Sequence, residues 1–223
     1  MTLSIAVCDP DSGQLAAAIS SSSISVSSRC LHWQPGVGIA LSQNITDPRL
    51  GPRMLSLLED GVTVEDAINA VIQSTPHIDF RQLGLVDITG ASESYTGKSV
   101  LGCFSSATGK HCVAVGNLLA NESVPAAMVD HFEQSEGHLG RRVLNALKAG
   151  VAAGGEAGPL HSAGLLVCAE PSWPIAELRI DWDDDPIEKL SIGWEVYEPQ
   201  IDDYVTRAYN PEDAPSYGVP GDP

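Results

Sequence analysis

The opening stretch constrains the fold more than any other part of the chain: Thr2-Leu-Ser-Ile-Ala-Val-Cys8, then Asp9-Pro-Asp-Ser-Gly13, then Gln14-Leu-Ala-Ala-Ala-Ile-Ser20. Asp9 to Gly13 form a tight turn. Proline presets φ, Asp and Ser bond to their own backbone, and Gly takes positive φ without steric cost. The flanking runs are short and rich in small and β-branched residues, which predicts two strands buried on both faces. A hydroxyl residue stands directly behind the first methionine. If Met1 is removed, the α-amine of Thr2, ordinarily with a pKa near ~8, becomes a base for its own hydroxyl.

A chain of 223 residues is long enough for one domain that buries roughly 70% or more of its unfolded surface. Hydrophobic residues make up 43% and charged residues 18%, a globular rather than a disordered composition. The amino end lacks a basic region and Asp9 interrupts its apolar run, so neither a secretory signal nor a membrane span is expected, and the expected location is cytoplasmic. The 12 Lys and Arg against 29 Asp and Glu give a net charge of −17, which opposes binding to nucleic acid or to anionic membranes. Residues 170–223 carry 14 acids and three bases, so most of that excess sits in the last quarter. Cys8, Cys30, Cys103, Cys112 and Cys168 are scattered and form no C-x-x-C pair, which makes them small buried hydrophobes. The six His supply no metal-ligand spacing, and no motif calls for a cofactor or metal. Asp181-Trp-Asp-Asp-Asp185 lacks the spacing and the bidentate Glu of a calcium loop and reads as a solvated turn.

Ser21 to Ser28 is serine-rich, but it lies between core strands, where a long flexible linker is unusual. A strand over residues 36–43 is followed by a break at Asn44-Ile-Thr-Asp47-Pro48. Leu50, Met54, Leu57 and Leu58 then have helical spacing, ended by Gly61. Thr63 is placed to cap a second helix, with Asp66 three residues on and an apolar stripe at Val64, Ala67, Ile68, Val71 and Ile72. Arg81–Asp87 and Glu93–Thr96 read as strands around a Thr89-Gly90 turn, and His111–Asn117 as another. Helices are expected at 122–135 and 138–149, with Gly154-Gly155 as the stop. Strands follow at Ser162–Cys168 and Ile175–Ile180, then a helix at Pro186–Val196. Helices arriving in adjacent pairs argue for antiparallel sheets with helices packed outside. We expect one domain over 1–197 and an acidic strap over 198–223 packed on it. Trp33, Trp173, Trp182 and Trp194, in a chain with 5% aromatics, point to a homodimer interface.

Several stretches together resemble the family known as domain of unknown function 1028 (DUF1028), grouped with the Ntn (amino-terminal nucleophile) hydrolases. They are Thr2-Leu-Ser-Ile5, Asp9–Gly13, Ser42-Gln-Asn-Ile-Thr-Asp-Pro-Arg-Leu-Gly-Pro52, Arg81-Gln-Leu-Gly84, Gly116-Asn-Leu-Leu119, Ala149-Gly150, Ala153-Gly-Gly155, Ser162-Ala163, Leu178-Arg-Ile-Asp181, Tyr204-Val-Thr-Arg207 and Tyr217–Gly221. The resemblance implies an α+β fold, a four-layer αββα sandwich of two mainly antiparallel sheets. It implies an amidohydrolase acting on a small-molecule amide, with Thr2 as nucleophile, Asp9 or Ser20 to Ser22 orienting its amine, and the Gly116-Asn117 corner donating to an oxyanion. Many relatives carry Lys just after the second strand; this chain has Ser22, and Arg29 is the substitute charge. The catalytic set is therefore Thr2, Asp9, Ser21 and Asn117. Substrate recognition falls to Arg29, Gln43, Asn44, Thr46, Asp47, Arg53 and His161, with Arg29 suited to grip a carboxylate. Two other readings stand beside it: a small-ligand-binding protein without catalysis, and a hydrolase built from the side chains of Arg29, Asp47 and His161.

Overall fold

The computed structural model describes residues 1–219. The last four residues of the acidic segment, including Gly221 of the family-like ending, lie outside them. β1 (Thr2–Asp9) and β2 (Gln14–Ser21) pair antiparallel, Leu3 opposite Ser20 through Asp9 opposite Gln14. The predicted turn joins them: Gly13 has φ 70°, its N–H donates to Asp9 O at 2.8 Å, and Ser12 Oγ donates to Asp9 Oδ2 at 2.6 Å.

β1 is central in a six-stranded antiparallel sheet with the order β10-β9-β2-β1-β8-β7. Besides β1 and β2 this sheet holds β8 (Cys112–Asn117), which pairs with β1, and β7 (Phe104–Gly109), β9 (Ser162–Cys168) and β10 (Pro174–Ile180). The second sheet holds β3 (Leu31–Gln34), β4 (Gly38–Asn44), β5 (Arg81–Asp87) and β6 (Ser92–Thr96), in that order. Because side chains alternate along a strand, β1 serves two apolar layers. Leu3, Ile5 and Val7 pack outward, against α4 (Val124–Gln134) and α5 (Leu139–Ala152). Ala6 and Cys8 face inward and meet Ile39, Leu41 and Val86 of the second sheet. A third apolar layer joins Ala40, Leu83 and Leu85 to α2 (Leu50–Glu59) and α3 (Val64–Ser74). These three layers make four tiers, the expected αββα sandwich of two antiparallel sheets.

The Thr63 cap forms as the sequence predicts, with Asp66 N–H donating to Thr63 Oγ1 at 3.2 Å. The expected helix over 138–149 runs on to Ala152, where Gly154 and Gly155 take positive φ. Several elements are not anticipated, the short strand β3 among them. The serine tract holds the short helix α1 (Val26–Cys30), seated where Gly164 lets it approach: a Cβ there would lie 2.5 Å from Ser27 Cβ. The edge strand β7, Phe-Ser-Ser-Ala-Thr-Gly, alternates half-buried and exposed residues. Beyond α6 (Pro186–Tyr197), the acidic segment contains α7 (Ile201–Tyr209), whose Ile201 joins the outer core while Tyr204 meets Tyr197 edge-on. One expectation is corrected: Trp194 is fully buried against Gly140 and His138, so it is not available to an interface. No helix among the described residues is long and apolar enough to cross a membrane.

The sandwich has two distinct ends. Antiparallel pairing brings Thr2, Ser21, Asn117, Ser162, Gln43 and Gln82 to one end, and Asp9, Gln14, Cys112, Cys168 and Asp87 to the other.

Candidate active site

Thr2 opens β1 directly opposite Asn117 of β8 and is 5% exposed. Its Oγ1 lies 2.5 Å from the carbonyl oxygen of Met1 and 3.4 Å from Ser21 Oγ. Ser21 Oγ also donates to the Met1 carbonyl, at short range, and pairs with Ser23 Oγ at 2.9 Å. Arg29 Nη2 donates to Ser23 Oγ at 2.7 Å. A line of hydroxyls therefore runs from Thr2 through Ser21 and Ser23 to a guanidinium. Arg29 is held there by the carbonyl of Ile24, which accepts from Nε at 3.2 Å and Nη2 at 2.9 Å, and it forms no ion pair among the described residues. The tract folds this way because Ser162 Oγ, at the start of β9, donates to Ser23 O at 2.6 Å and accepts from Val26 N–H at 3.2 Å.

A buried carboxylate completes the group. Glu156 sits on the loop after α5, pinned to the exit of β8 by Ala120 N–H to Gly155 O (3.0 Å) and Ala157 N–H to Leu118 O (2.9 Å). It is 7% exposed; Oε2 accepts from Ser22 N–H at 3.2 Å, and Oε1 has no hydrogen-bond partner among the described residues. Burial pushes its carboxyl up to about 7, against the opposing pull of the residue 1 amine and the Ser22 N–H. An uncompensated buried charge is costly, so such a group rises in pKa until a cation or donor meets it. Nearby, the Met1 side chain lies on Gly158, where an added Cβ would come 3.0 Å from Met1 Cε.

Beneath Thr2 a polar network joins the two sheets. Ser4 Oγ donates to Gln43 Oε1 at 2.8 Å, and Gln43 Nε2 donates to Gln82 Oε1 at 2.8 Å. Asn117 Nδ2 donates to the same Gln82 oxygen at 3.1 Å, while Gln82 Nε2 reaches Gly116 O at 3.0 Å. All four side chains are completely buried.

Of the eleven residues in the two expected sets, Asp9 lies at the opposite end of the sandwich, and the structure reassigns most of the others. Asp9 is at the far end of the eight-residue β1, bonded to Ser12, and cannot orient the Thr2 amine. The Asn117 amide nitrogen is taken by Gln82 and the next backbone N–H, of Leu118, by Leu101 O, so this corner is not the expected oxyanion donor. Gln43 ties the sheets together and is closed to substrate. Asn44, with φ 75°, staples loops through Phe80 O (2.7 Å) and Leu101 N–H (3.2 Å). Thr46 pairs with Cys30 Sγ at 3.4 Å, and burial keeps that thiol protonated. Asp47 is held bidentately by Arg49 at 2.9 and 2.8 Å, which pulls its carboxyl below the ordinary range. With Arg53 it lines a separate cleft of about 300 Å³. The His161 ring stacks on Trp182 (4.4 Å between centroids), with Nδ1 3.6 Å from Asp184 Oδ1. Only its backbone N–H touches the site, donating to Ser21 O at 2.9 Å. Thr2, Ser21 and Arg29 remain together.

Sequence reasoning missed Glu156, Ser23 and Gln82. Glu156 did leave a signal: it is the one acid in the glycine- and alanine-rich run between Lys148 and His161. Gln82 left only its place in a strand and in the Arg81–Gly84 stretch of the family resemblance.

The sequence matches the family of unknown function DUF1028 over residues 2–190. A crystal structure of a Silicibacter pomeroyi protein of that family is 32% identical with a TM-score of 0.83, covering 91% of this chain and 89% of that one. Anbu (ancestral beta-subunit) from Yersinia bercovieri is 12% identical with a TM-score of 0.41, covering 92% of this chain and 97% of that one. Anbu from Hyphomicrobium sp. strain MC1 is 14% identical at 0.40, covering 98% and 100%. No curated protein matches.

Proposed function

The chain belongs to the DUF1028 family, and from that premise we propose that it is an Ntn-type hydrolase that cleaves a carbon–nitrogen amide bond in a small-molecule substrate. The observation that carries this reading is the placement of the Thr2 hydroxyl at the buried head of β1, in line with Ser21 Oγ, whose neighbour Ser22 donates its N–H to the buried carboxylate of Glu156.

The reaction requires the bond between residues 1 and 2 to be cut. Thr2 then has a free α-amine that takes the Oγ1 proton as the oxygen attacks the substrate carbonyl carbon. The C–N bond breaks, the amine returns the proton to the leaving nitrogen, and an ester to Thr2 Oγ1 remains. Water, its proton accepted by the same amine, attacks that ester; the Oγ1–C bond breaks, a carboxylate leaves, and the threonine hydroxyl is restored. The Met1 carbonyl oxygen marks where an acyl oxygen near Thr2 would lie. Ser21 Oγ already donates to it and is the best-placed oxyanion donor.

The hydrolase built on Arg29, Asp47 and His161 draws no support from the geometry, because Asp47 and His161 are engaged by Arg49 and by the 182–184 turn.

Intact mass establishes whether residue 1 or residue 2 begins the working chain. A screen of small amides should give product with the chain that begins at Thr2 and with Thr2→Ser, and none with Thr2→Ala. Product from a chain that retains Met1 overturns the terminal-amine mechanism; ligand-raised thermal stability without product from any amide leaves a binding protein.

A further inference from the structure

Residue 1 is attached to Thr2 through an acyl carbon, as a substrate would be after attack by Thr2. Two of its three groups meet a feature of the protein, and the third lies in the field of a buried carboxylate. The carbonyl oxygen accepts from Ser21 Oγ. The side chain lies along Gly158, with its terminal methyl carbon and sulfur 3.0 and 3.3 Å from where a Cβ would stand. The α-ammonium is a positive charge that acts on the Glu156 carboxylate without forming an ion pair with it.

We infer that Met1 occupies the acyl subsite of the enzyme, and that the substrates are amides of α-amino acids with a free amine, whose ammonium is received by Glu156 and whose unbranched apolar side chain lies over Gly158. This rests on the hydrolase reading and gives its site a substrate class.

The argument for an ammonium is one of desolvation. Glu156 is more than nine-tenths buried, its Oε1 lacks a hydrogen-bond partner among the described residues, and its Oε2 accepts from Ser22 N–H. A carboxylate withdrawn from water this far is strongly penalised unless a cation meets it, and a ligand ammonium supplies both charge and hydrogen bond. An N-acylated substrate brings a neutral amide and more bulk instead. Gly158 takes an ordinary negative φ, so its lack of a side chain serves space rather than backbone conformation.

The test uses the full chain released from a cleavable fusion so that it begins at Thr2, verified by intact mass. Binding is read from the shift in thermal midpoint with concentration of L-methioninamide and of N-acetyl-L-methioninamide. The expected result is about tenfold or greater preference for the free amine, falling to near parity in Glu156→Gln. Gly158→Ala should weaken L-methioninamide while leaving glycinamide unchanged. Equal or tighter binding of the acetylated amide overturns the inference, as does an undiminished preference in Glu156→Gln. Turnover of the same pair separates this from the hydrolase reading. Selective binding without product fails that reading and leaves the subsite standing, whereas faster cleavage of the acetylated amide does the reverse.

Discussion

The two ends of the sandwich are built from the same strands and differ in what they bury. At the Asp9 end lies an open cleft of about 530 Å³ lined by Cys8, Asp9, Asp11, Lys110, His111 and Arg142. Several of its groups are engaged: Asp9 accepts from Ser12 Oγ, Glu133 accepts from the backbone N–H of Lys110 at 2.6 Å, and Arg142 lies over Phe132 and bonds to its carbonyl. Burial pushes the Cys8 thiol up to about 12, so it stays protonated and unreactive. At the Thr2 end, among the described residues, a buried carboxylate oxygen lacks a hydrogen-bond partner and a guanidinium lacks a carboxylate. A large concavity therefore identifies the chemistry less well than a buried group whose charge is not compensated.

The largest expected effect is on turnover. Thr2→Ala should lower kcat by about a thousandfold or more, as loss of a nucleophile does, while Thr2→Ser keeps measurable activity; steady-state rates on the best amide from the screen check both. Activity persisting in Thr2→Ala would move the chemistry away from this end. Next comes the network beneath the site. Gln82→Leu strands the donors of Asn117 and Gln43 and the carbonyl of Gly116, at about 1–3 kcal/mol for each buried group left unsatisfied. A fall of roughly 3 kcal/mol or more in unfolding free energy, read from the denaturant midpoint, is expected.

Glu156 gives the third contrast, through pH. Its folded carboxyl titrates near 7 against an ordinary 4.5, so between those values the folded state binds more protons than the unfolded one. Stability contributed by this group is therefore greatest below pH 4.5 and declines as pH rises to about 7, by up to roughly 3 kcal/mol. Chemical denaturation of the chain that retains residue 1, at pH 5 and pH 7.5, should show this decline reduced in Glu156→Gln. An unchanged pH dependence would mean that the carboxylate is compensated.

Much of the fold was legible because its signals are local. The Asp9–Gly13 turn, the Thr63 cap and the Gly154-Gly155 stop each act within a few residues, and paired helices implied antiparallel sheets. β7 was hidden because half of it faces solvent, which removes apolar alternation from Phe-Ser-Ser-Ala-Thr-Gly. α1 was hidden because serines favour turns and caps, and only Ser162 and Gly164, far along the chain, fix it as a helix. The site was half legible. Thr2, Ser21 and Arg29 lie on neighbouring segments of chain, so their convergence follows from one hairpin. Glu156 arrives from a loop more than a hundred residues away, and the reassignment of Gln43 and Asn117 depends on Gln82, on a strand of the other sheet. Long-range hydrogen bonding leaves no periodicity to read.

The smallest effect is expected at the Asp9 end, and it is informative for that reason. Asp9 lies on the same strand as Thr2, was expected to orient its amine, and borders the wide cleft. If activity depended on the strand as a rigid unit or on that cleft, Asp9→Ala would lower turnover sharply. What the side chain does here is accept from Ser12 Oγ in a turn already fixed by Pro10, Gly13 and the Gly13 N–H to Asp9 O bond. Removing it should cost about 0.5–1 kcal/mol, the worth of one exposed hydrogen bond. Turnover on the Thr2 substrate should stay within about twofold, because a group that neither touches the substrate nor positions one that does has no differential interaction with the transition state. Parallel kcat/KM and denaturant midpoints for Asp9→Ala and Glu156→Gln decide the matter: equal losses of activity would erase the distinction between the two ends.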